Sequence, residues 1–577
     1  MDEKKVPLQQ SATQTAVSSD RDSYNQAQTE AYSHIPARTP QEPDQSPERP
    51  TADAPSQYVD VKSLSFILVL VALSLSLFCV AIDNIIIATA IPAITDEFHA
   101  INHIGWYGSG YLLPTCAFQL LSGKLYSRYA AKWIFLGALF LFEVGSLISA
   151  VAPSSAVFIV GRAIAGVGAA ALFTGSLVIV ATIVPPEKAP AFQSVNAATF
   201  GVASAVAPLI GGAFTDNVTW RWCFYINLPI GGVSAPLVLF LLKTRTPAHT
   251  AASLGQVLWN LDLLGLVFFL PSIICFLLAM EWAGIQYDWS DWRIIVVMVF
   301  FGVLLVAFVA DQFFMGEDAT VPVRLAKQRT IAAVSWYNMF SFGAFNTAFY
   351  FIPLYFQGIK NTSAEDSGIR MIPLVVVQVV VIVITGILSA KSGHYVPFFV
   401  ASCTVAAVGL GLLTTWGVDS SAGEWVGYQV LIGFGLGMGM QLFATAVSAT
   451  LPDTDVPTGM ALTTMAQFFG ASIFLGVGNN VFATKFIGYV DALRIPGLDG
   501  HTLVSAGATT LRDAVPAEYL PQVLDAYMDA LTWTFRISLI LECLAIFGAV
   551  GMEWKRVRGH GGEKAPSANP SSANSGS

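Results

Sequence analysis

The chain has 577 residues, of which 54% are apolar and only 12% are Asp, Glu, Lys or Arg, with a formal net charge of -9 at pH 7. Soluble domains usually carry about 25% charged residues, so this chain has too few charges to cover a soluble surface of its size. A mean hydropathy of +0.61 places most of it in lipid. The composition excludes a soluble enzyme, a collagen and, with no polycationic surface, a nucleic-acid binder.

Residues 1–62 are rich in Pro, Ser, Gln and acidic side chains and lack a basic start followed by an apolar core and cleavage site. A disordered cytoplasmic tail is expected there, not a signal peptide. Beyond it, runs of about 20 apolar residues predict about fourteen membrane-spanning helices. They fall near 64–92, 103–123, 133–152, 157–180, 193–214, 223–242, 261–280, 293–310, 331–356, 371–390, 397–416, 425–448, 459–479 and 533–553. Cys79, Cys116, Cys223, Cys275, Cys403 and Cys543 sit in or beside these runs and read as embedded thiols, not disulfides or metal ligands. Between 480 and 532, Leu520, Val523, Leu524, Tyr527 and Leu531 recur at helical spacing and predict a separate amphipathic helix on the outer surface.

Lys and Arg in the short connectors set the orientation. Lys124, Arg128 and Lys132, then Lys188, then Lys243 and Arg245, then Arg324, Lys327 and Arg329, then Lys391, and finally Lys555, Arg556 and Arg558 follow even-numbered spans. Both termini are therefore expected in the cytoplasm. The opposite connectors hold Arg221, Arg293, Lys360 and Arg370 but are otherwise acidic (Asp96, Glu97, Asp288, Asp291, Glu365, Asp366), and they carry the glycosylation candidates Asn217 and Asn361.

An ionisable group inside a span is expensive and is a functional candidate. Asp83 in the first span and Arg162 in the fourth lie at similar depth and can pair; Glu143 and Glu542 fall near the middle of spans three and fourteen. Each carboxylate reads either as a proton site or as a structural ion pair or hydrogen-bonded buried acid. Glycines cluster as Gly161, Gly166 and Gly168, as Gly201, Gly211 and Gly212 beyond Pro208, and as Gly433, Gly435, Gly437 and Gly439. They permit close helix packing, and Pro208 with the glycines after it also marks a kink suited to rocking.

Several stretches carry a family resemblance. Gly123-Lys-Leu-Tyr-Ser-Arg128-Tyr-Ala-Ala-Lys132 follows the second span, and Gly161-Arg162-Ala-Ile-Ala-Gly166-Val-Gly168 lies in the fourth. Ala207-Pro208-Leu-Ile-Gly211-Gly212 lies in the fifth, followed by Trp220-Arg221-Trp222-Cys-Phe-Tyr-Ile-Asn227-Leu-Pro229. Asp83-Asn-Ile-Ile-Ile-Ala-Thr-Ala-Ile-Pro92 ends the first span, and Pro353-Leu-Tyr-Phe-Gln357 and Ser367-Gly368-Ile come later. In this order the chain resembles the major facilitator superfamily, specifically its fourteen-span drug:proton antiporters, and looks similar to fungal toxin-efflux members.

The resemblance implies an all-α polytopic membrane protein with the major facilitator fold: six-helix bundles at 63–242 and 331–553, a linker 243–330 with two inserted helices, an outer loop 480–532 and a disordered tail 554–577. It implies proton coupling through Asp83, Arg162 and Glu143, a cytoplasmic gate at Gly123, Arg128 and Lys132, and an antiporter motif at Pro208, Gly211 and Gly212. Ser127 stands where the family's gate loop usually has Asp, and Ala130 where it has Gly, so the usual charge clamp is weakened or replaced. Ala88 and Ala207 likewise replace the family's usual Asn and Gly.

The substrate path should run between the bundles near the midplane. Gln119, Asn196, Trp336, Asn346, Gln378, Gln441 and Gln467 are its candidate lining groups, with Tyr337 and Phe345. Aromatic and amide groups suit amphipathic organic compounds better than ions. The expected activity is proton-coupled export of such compounds from a monomer in the plasma or vacuolar membrane, with lipid, protons and a small organic substrate as partners. No cofactor and no metal is expected, and no Gly-x-x-x-x-Gly-Lys-Ser/Thr loop supports an ATP-driven pump. A proton-coupled importer, for instance of an iron chelate, and a non-transporting sensor on the same scaffold stay open.

Overall fold

The computed structural model describes residues 63–98, 104–185, 188–243, 262–284, 286–506 and 511–555. The expected tails, apart from Trp554 and Lys555, lie outside the described residues, as do Arg245, Arg556, Arg558 and the side chains of Ala88, Asp96, Pro208 and Glu365. Among the described residues the structure is helical, and a single bridge between Ala283 and Tyr287 is the one β-type pairing.

Fourteen long helices follow one another: α1 Leu64–Phe98, α2 Ile104–Arg128, α3 Ala131–Ala150, α4 Ser155–Ile183, α5 Ala189–Asn217, α6 Trp222–Leu241 and α7 Leu263–Trp282. The second seven are α8 Trp292–Met315, α9 Arg329–Leu354, α10 Ile372–Ser392, α11 Val396–Leu413, α12 Ala422–Thr450 with an interruption at Met440 and Gln441, α13 Val456–Ala492 and α14 Leu520–Gly551. Eleven of them are long and apolar enough to cross a membrane on those grounds alone. The other three, α2, α5 and α9, carry Gln119, Asn196 and Asn346. Their lower apolarity has a structural cause, because each packs at or beside the contact between the two halves.

Burial runs opposite to that of a soluble protein. Phe140, Phe240, Val306, Phe314 and Phe547 point outward, while Asp83, Arg162, Gln119 and Glu542 are fully buried. Lipid accepts the first set at no cost, and the second must find partners inside. Helices α1–α6 pack among themselves, as do α9–α14, and the halves meet where α2 lies against α13 and α5 against α10. Small residues bring backbones together: a side-chain carbon on Gly145 of α3 would collide with the backbone of Ala165 in α4, and one on Gly435 of α12 with that of Ala406 in α11. Helices α7 and α8 pair with each other, and α7 also lies against α2 and α13.

The outer loop differs from expectation. Helix α13 continues to Ala492, and Leu520 begins α14 itself, so Val523, Leu524, Tyr527 and Leu531 are buried on the first turns of the last spanning helix. The helical periodicity there reports packing against Phe482 and Phe486 of α13, whose rings lie 5.1 and 5.2 Å from that of Tyr527.

Candidate functional site

Three arrangements stand out, and the first is a charged cluster inside α1–α6. Arg162 of α4 donates from Nη1 to Asp83 Oδ2 of α1, with the two side chains 1% and 0% exposed. Arg162 Nε donates to the carbonyl of Tyr107 at 3.3 Å, and the guanidinium lies over the Tyr111 ring at 4.4 Å. The second carboxylate oxygen of Asp83 accepts from Asn227 Nδ2 at 3.2 Å, and the same amide donates to Ser146 at 3.1 Å. Five helices thus converge on one buried ion pair. Glu143 lies nearby on α3, within electrostatic range of Asp83 and against Gly231 of α6. Both of its carboxylate oxygens are buried with no hydrogen-bond partner. Glu542 of α14 is a second such carboxylate in the other half, beside Ser341 and Cys403.

The second arrangement is the end of the bundles where the sequence places its candidate gate. Helix α2 stops at Arg128 and α3 starts at Ala131. Gly123 lies so close to α13 that a side-chain carbon there would strike Ala461 and approach the Pro457 carbonyl at 3.1 Å. Gly386 of α10 lies equally close to Ser194 and Pro190 of α5. Both crossings between the halves are therefore shut at this end. Ser127, in the position of the family's Asp, donates to the carbonyl of Lys124 at 2.9 Å, and Lys132 lies 5.6 Å from the Trp133 ring.

The third is a narrow cavity between the halves. Phe173, Phe200 and Ser204 line it from one side, and Phe342, Phe345, Phe349, Gln378, Gln441, Gln467 and Phe468 from the other. A smaller neighbour shares Phe342, Phe345 and Met440 and adds Tyr337 and Asn338. None of the residues lining either space is charged.

Of the expected lining groups, Gln378, Gln441, Gln467 and Phe345 face the larger cavity and Tyr337 the smaller. Trp336 does not: it is 45% exposed on the outer surface of α9, and its indole donates to the Leu544 carbonyl at 2.9 Å. Gln119 is buried and donates to Thr174 inside the first bundle, Asn346 donates to the Phe342 carbonyl, and Asn196 is buried on α5 without a partner. Gly211 is buried and its carbonyl accepts from Thr215 at 2.7 Å, whereas Gly212 has open space beside it. Asn217 and Asn361 are both exposed.

Of the six phenylalanines lining the larger cavity, sequence reasoning named only Phe345, because periodicity does not tell a cavity face from a packed face. It also missed Asp262, Asp311 and Gln312, a buried polar cluster on α7 and α8; an expected end of span eight at 310 leaves Asp311 just outside it.

The family model described as Major Facilitator Superfamily matches residues 73–475. The chain belongs to the Major Facilitator Superfamily. Among solved members of the superfamily, the fold is similar to that of the proton:xylose symporter XylE, with a TM-score of 0.54 at 11% identity over 85% of this chain and 98% of that one. It is also similar to the human organic anion transporter MFSD10, with a TM-score of 0.52 at 12% identity over 83% and 100%. Curated relatives include "Efflux pump aflT" of Aspergillus parasiticus, 48% identical over 86% of this chain and 97% of that protein. "Efflux pump roqT" of Penicillium rubens is 46% identical over 85% and 90%, and "MFS-type efflux pump MFS1" of Trichophyton rubrum is 45% identical over 86% and 93%. Family and fold make the chain a multi-pass membrane transporter of small molecules, not an enzyme.

Proposed function

We propose that the chain exports amphipathic small organic molecules by alternating access, driven by protons moving inward. The observation that carries this reading is the uncharged aromatic and amide cavity between the two bundles, together with a buried ion pair within one of them. An apolar cavity with a few amides suits uncharged or weakly polar compounds, which reach it from the inner leaflet or cytoplasm.

Protonation of Asp83 removes the charge that Arg162 pairs with, so the α1, α4 and α6 contacts built on that pair loosen. Glu143, close to Asp83 and without a hydrogen-bond partner, is the natural group to hand the proton on. Pro208, Gly211 and Gly212 bend α5 during rocking, and Gly123, Arg128 and Lys132 form the cytoplasmic gate. The protein works as a monomer in the plasma membrane with both termini in the cytoplasm, and Asn217 and Asn361 on the outside accept glycans.

The test is uptake of a fluorescent amphipathic compound into inside-out vesicles energised by an imposed proton gradient. Gradient-dependent uptake that Asp83→Asn abolishes supports the reading; full gradient dependence in Asp83→Asn rejects the coupling role.

A further inference from the structure

The motif from Trp220 to Asn227, at the start of α6, touches a buried ion pair at one end and a surface ion pair at the other. At its inner end Asn227 donates to Asp83, and the Phe224 ring lies 5.6 Å from the Arg162 guanidinium. At its outer end Trp220 Nε1 and Arg221 Nη1 donate to Glu97 Oε2 at the end of α1, at 2.7 and 3.0 Å, and Arg221 Nη2 lies 3.0 Å from the other carboxylate oxygen. That nitrogen also donates to the Ala152 carbonyl, in the turn between α3 and α4, at 2.9 Å. Glu97 and Arg221 are partly exposed, whereas Asp83 and Arg162 are fully buried.

Between the two pairs stands a layer of rings. Phe158 of α4 is its centre: Tyr107, Trp220 and Phe224 meet it edge-on at 5.2, 5.7 and 5.3 Å, and Phe98 lies 6.4 Å away. Phe98 and Trp220 also meet edge-on, at 5.7 Å. Tyr107, Phe158 and Phe224 are fully buried and Trp220 nearly so. On α1, the turns between Asp83 and Glu97 add Ile86, Ala90 and Ile94, all fully buried. These groups come from the end of α1 and the starts of α2, α4 and α6, so they cap the bundle at the end opposite Gly123. None of Tyr107, Tyr111, Phe224 and Asn227, which touch the buried pair, lines either cavity. A proton needs a chain of water or polar groups to travel along, and a packed apolar constriction excludes water.

We propose that the ring layer around Phe158 is the proton seal of the first bundle, with Glu97 and Arg221 as its clasp, so that outer water reaches the Asp83 carboxylate only when the rings part. Trp220 joins the two functions, since its indole N–H is held by Glu97 and its ring packs on Phe158. Once Glu97 and Arg221 separate, Trp220 loses its acceptor, the layer opens, and a proton passes from outer water to Asp83. With the clasp shut, protons do not run down their gradient between substrate turnovers. Phe158, Trp220 and Arg221 are positioning residues and touch no substrate.

The inference rests on the coupling role of Asp83 in the export reading, and its test follows protons without substrate. Full-length protein is reconstituted in liposomes that enclose a pH-sensitive dye, the outside is acidified, and the rate of internal acidification is read. Phe158→Ala, which removes the central ring, should raise the protein-dependent rate by about tenfold. Arg221→Gln, which opens the clasp and leaves every ring in place, should raise it by a smaller factor, and it carries the test if Phe158→Ala fails to fold. Adding Asp83→Asn to either variant should return the rate to that of the unaltered protein, which a merely loosened bundle would not do. An unchanged rate in either variant once folded, or a leak that persists with Asp83→Asn, overturns the proposal. Gradient-driven uptake by the unaltered protein and by Asp83→Asn is measured alongside. Full gradient dependence in Asp83→Asn rejects the coupling role itself, whereas coupling that needs Asp83, combined with a proton-tight Phe158→Ala, rejects the seal alone.

Discussion

Arg162 is surrounded by hydrogen-bond acceptors and aromatic faces because a guanidinium in a lipid-embedded bundle has no water to solvate it. The pair it makes with Asp83 is poor evidence of a stability device: replacing both members of a buried pair by apolar residues is often neutral, whereas removing one costs about 3–5 kcal/mol. Arg162→Leu alone should therefore lower the melting temperature of the purified protein more than the Asp83→Leu and Arg162→Leu double variant does. The double variant should still fail to drive uptake with a proton gradient, and a double variant that couples normally would remove the pair from the mechanism. In the cavity, Gln467 Oε1 and Gln441 Oε1 are buried without donors, so they are poised to accept from a substrate hydroxyl or amide. Gln467→Leu should raise the KM for a hydrogen-bond-donating compound by about five- to tenfold, the worth of one such bond, while leaving a purely apolar compound nearly unaffected; competition assays with matched pairs of compounds measure this. Asp83, Arg162 and Glu143 were legible as the charges a span can least tolerate. Asn227, which completes the Asp83 site, was visible only as part of a motif, because an asparagine near the start of a helix carries no periodic signal of what it touches.

At the scale of the helix, close approach decides what can change. Gly145 and Gly161 let α3 and α4 run backbone to backbone, and Gly145→Leu should cost about 1–3 kcal/mol through forced separation, seen as a lower melting temperature in detergent. Another element-scale contact joins the end of α1 to the start of α6: Trp220 and Arg221 donate to Glu97 at 2.7 and 3.0 Å. Burial works against the Glu97 carboxylate, but these hydrogen bonds and the Arg221 charge outweigh it and hold the group below the usual carboxylate range. The sign follows from linkage: a depressed folded pKa stabilises the fold above the unfolded value and loses that contribution as pH falls through the folded one. A small, pH-dependent difference in melting temperature between the wild type and Glu97→Gln should thus be present at neutral pH and vanish in acid; Glu97 is largely exposed, so solvent screens the effect. Helix boundaries were the least legible feature at this scale. The turns of α14 before Trp533 read as a separate surface helix because a charged, amphipathic stretch looks alike whether it packs on a neighbouring helix or lies at an interface.

For the whole molecule, the two halves touch through α2 with α13 and α5 with α10, and both crossings are closed at the end that holds Gly123 and Gly386. If that end faces the cytoplasm, a fusion tag at either terminus should be protected from protease in sealed intact cells and cleaved after permeabilisation. Protease access from outside would invert the proposed topology. The sequence by itself determined that this chain dissolves in lipid, roughly how many times it crosses, and which charges are too costly to be incidental, since those follow from transfer free energies summed residue by residue. It also determined the family, through short motifs whose order survives without any contact being known. Only the tertiary structure decided that Trp336 faces outward while six phenylalanines face the cavity, that Asp83 and Arg162 meet, and that α7 lies against α2 of one bundle and α13 of the other. These are pairings between residues far apart in the chain. Every spanning helix is apolar on most sides, and the helical period that reveals an inner face in a soluble protein is erased when the solvent is as apolar as the core.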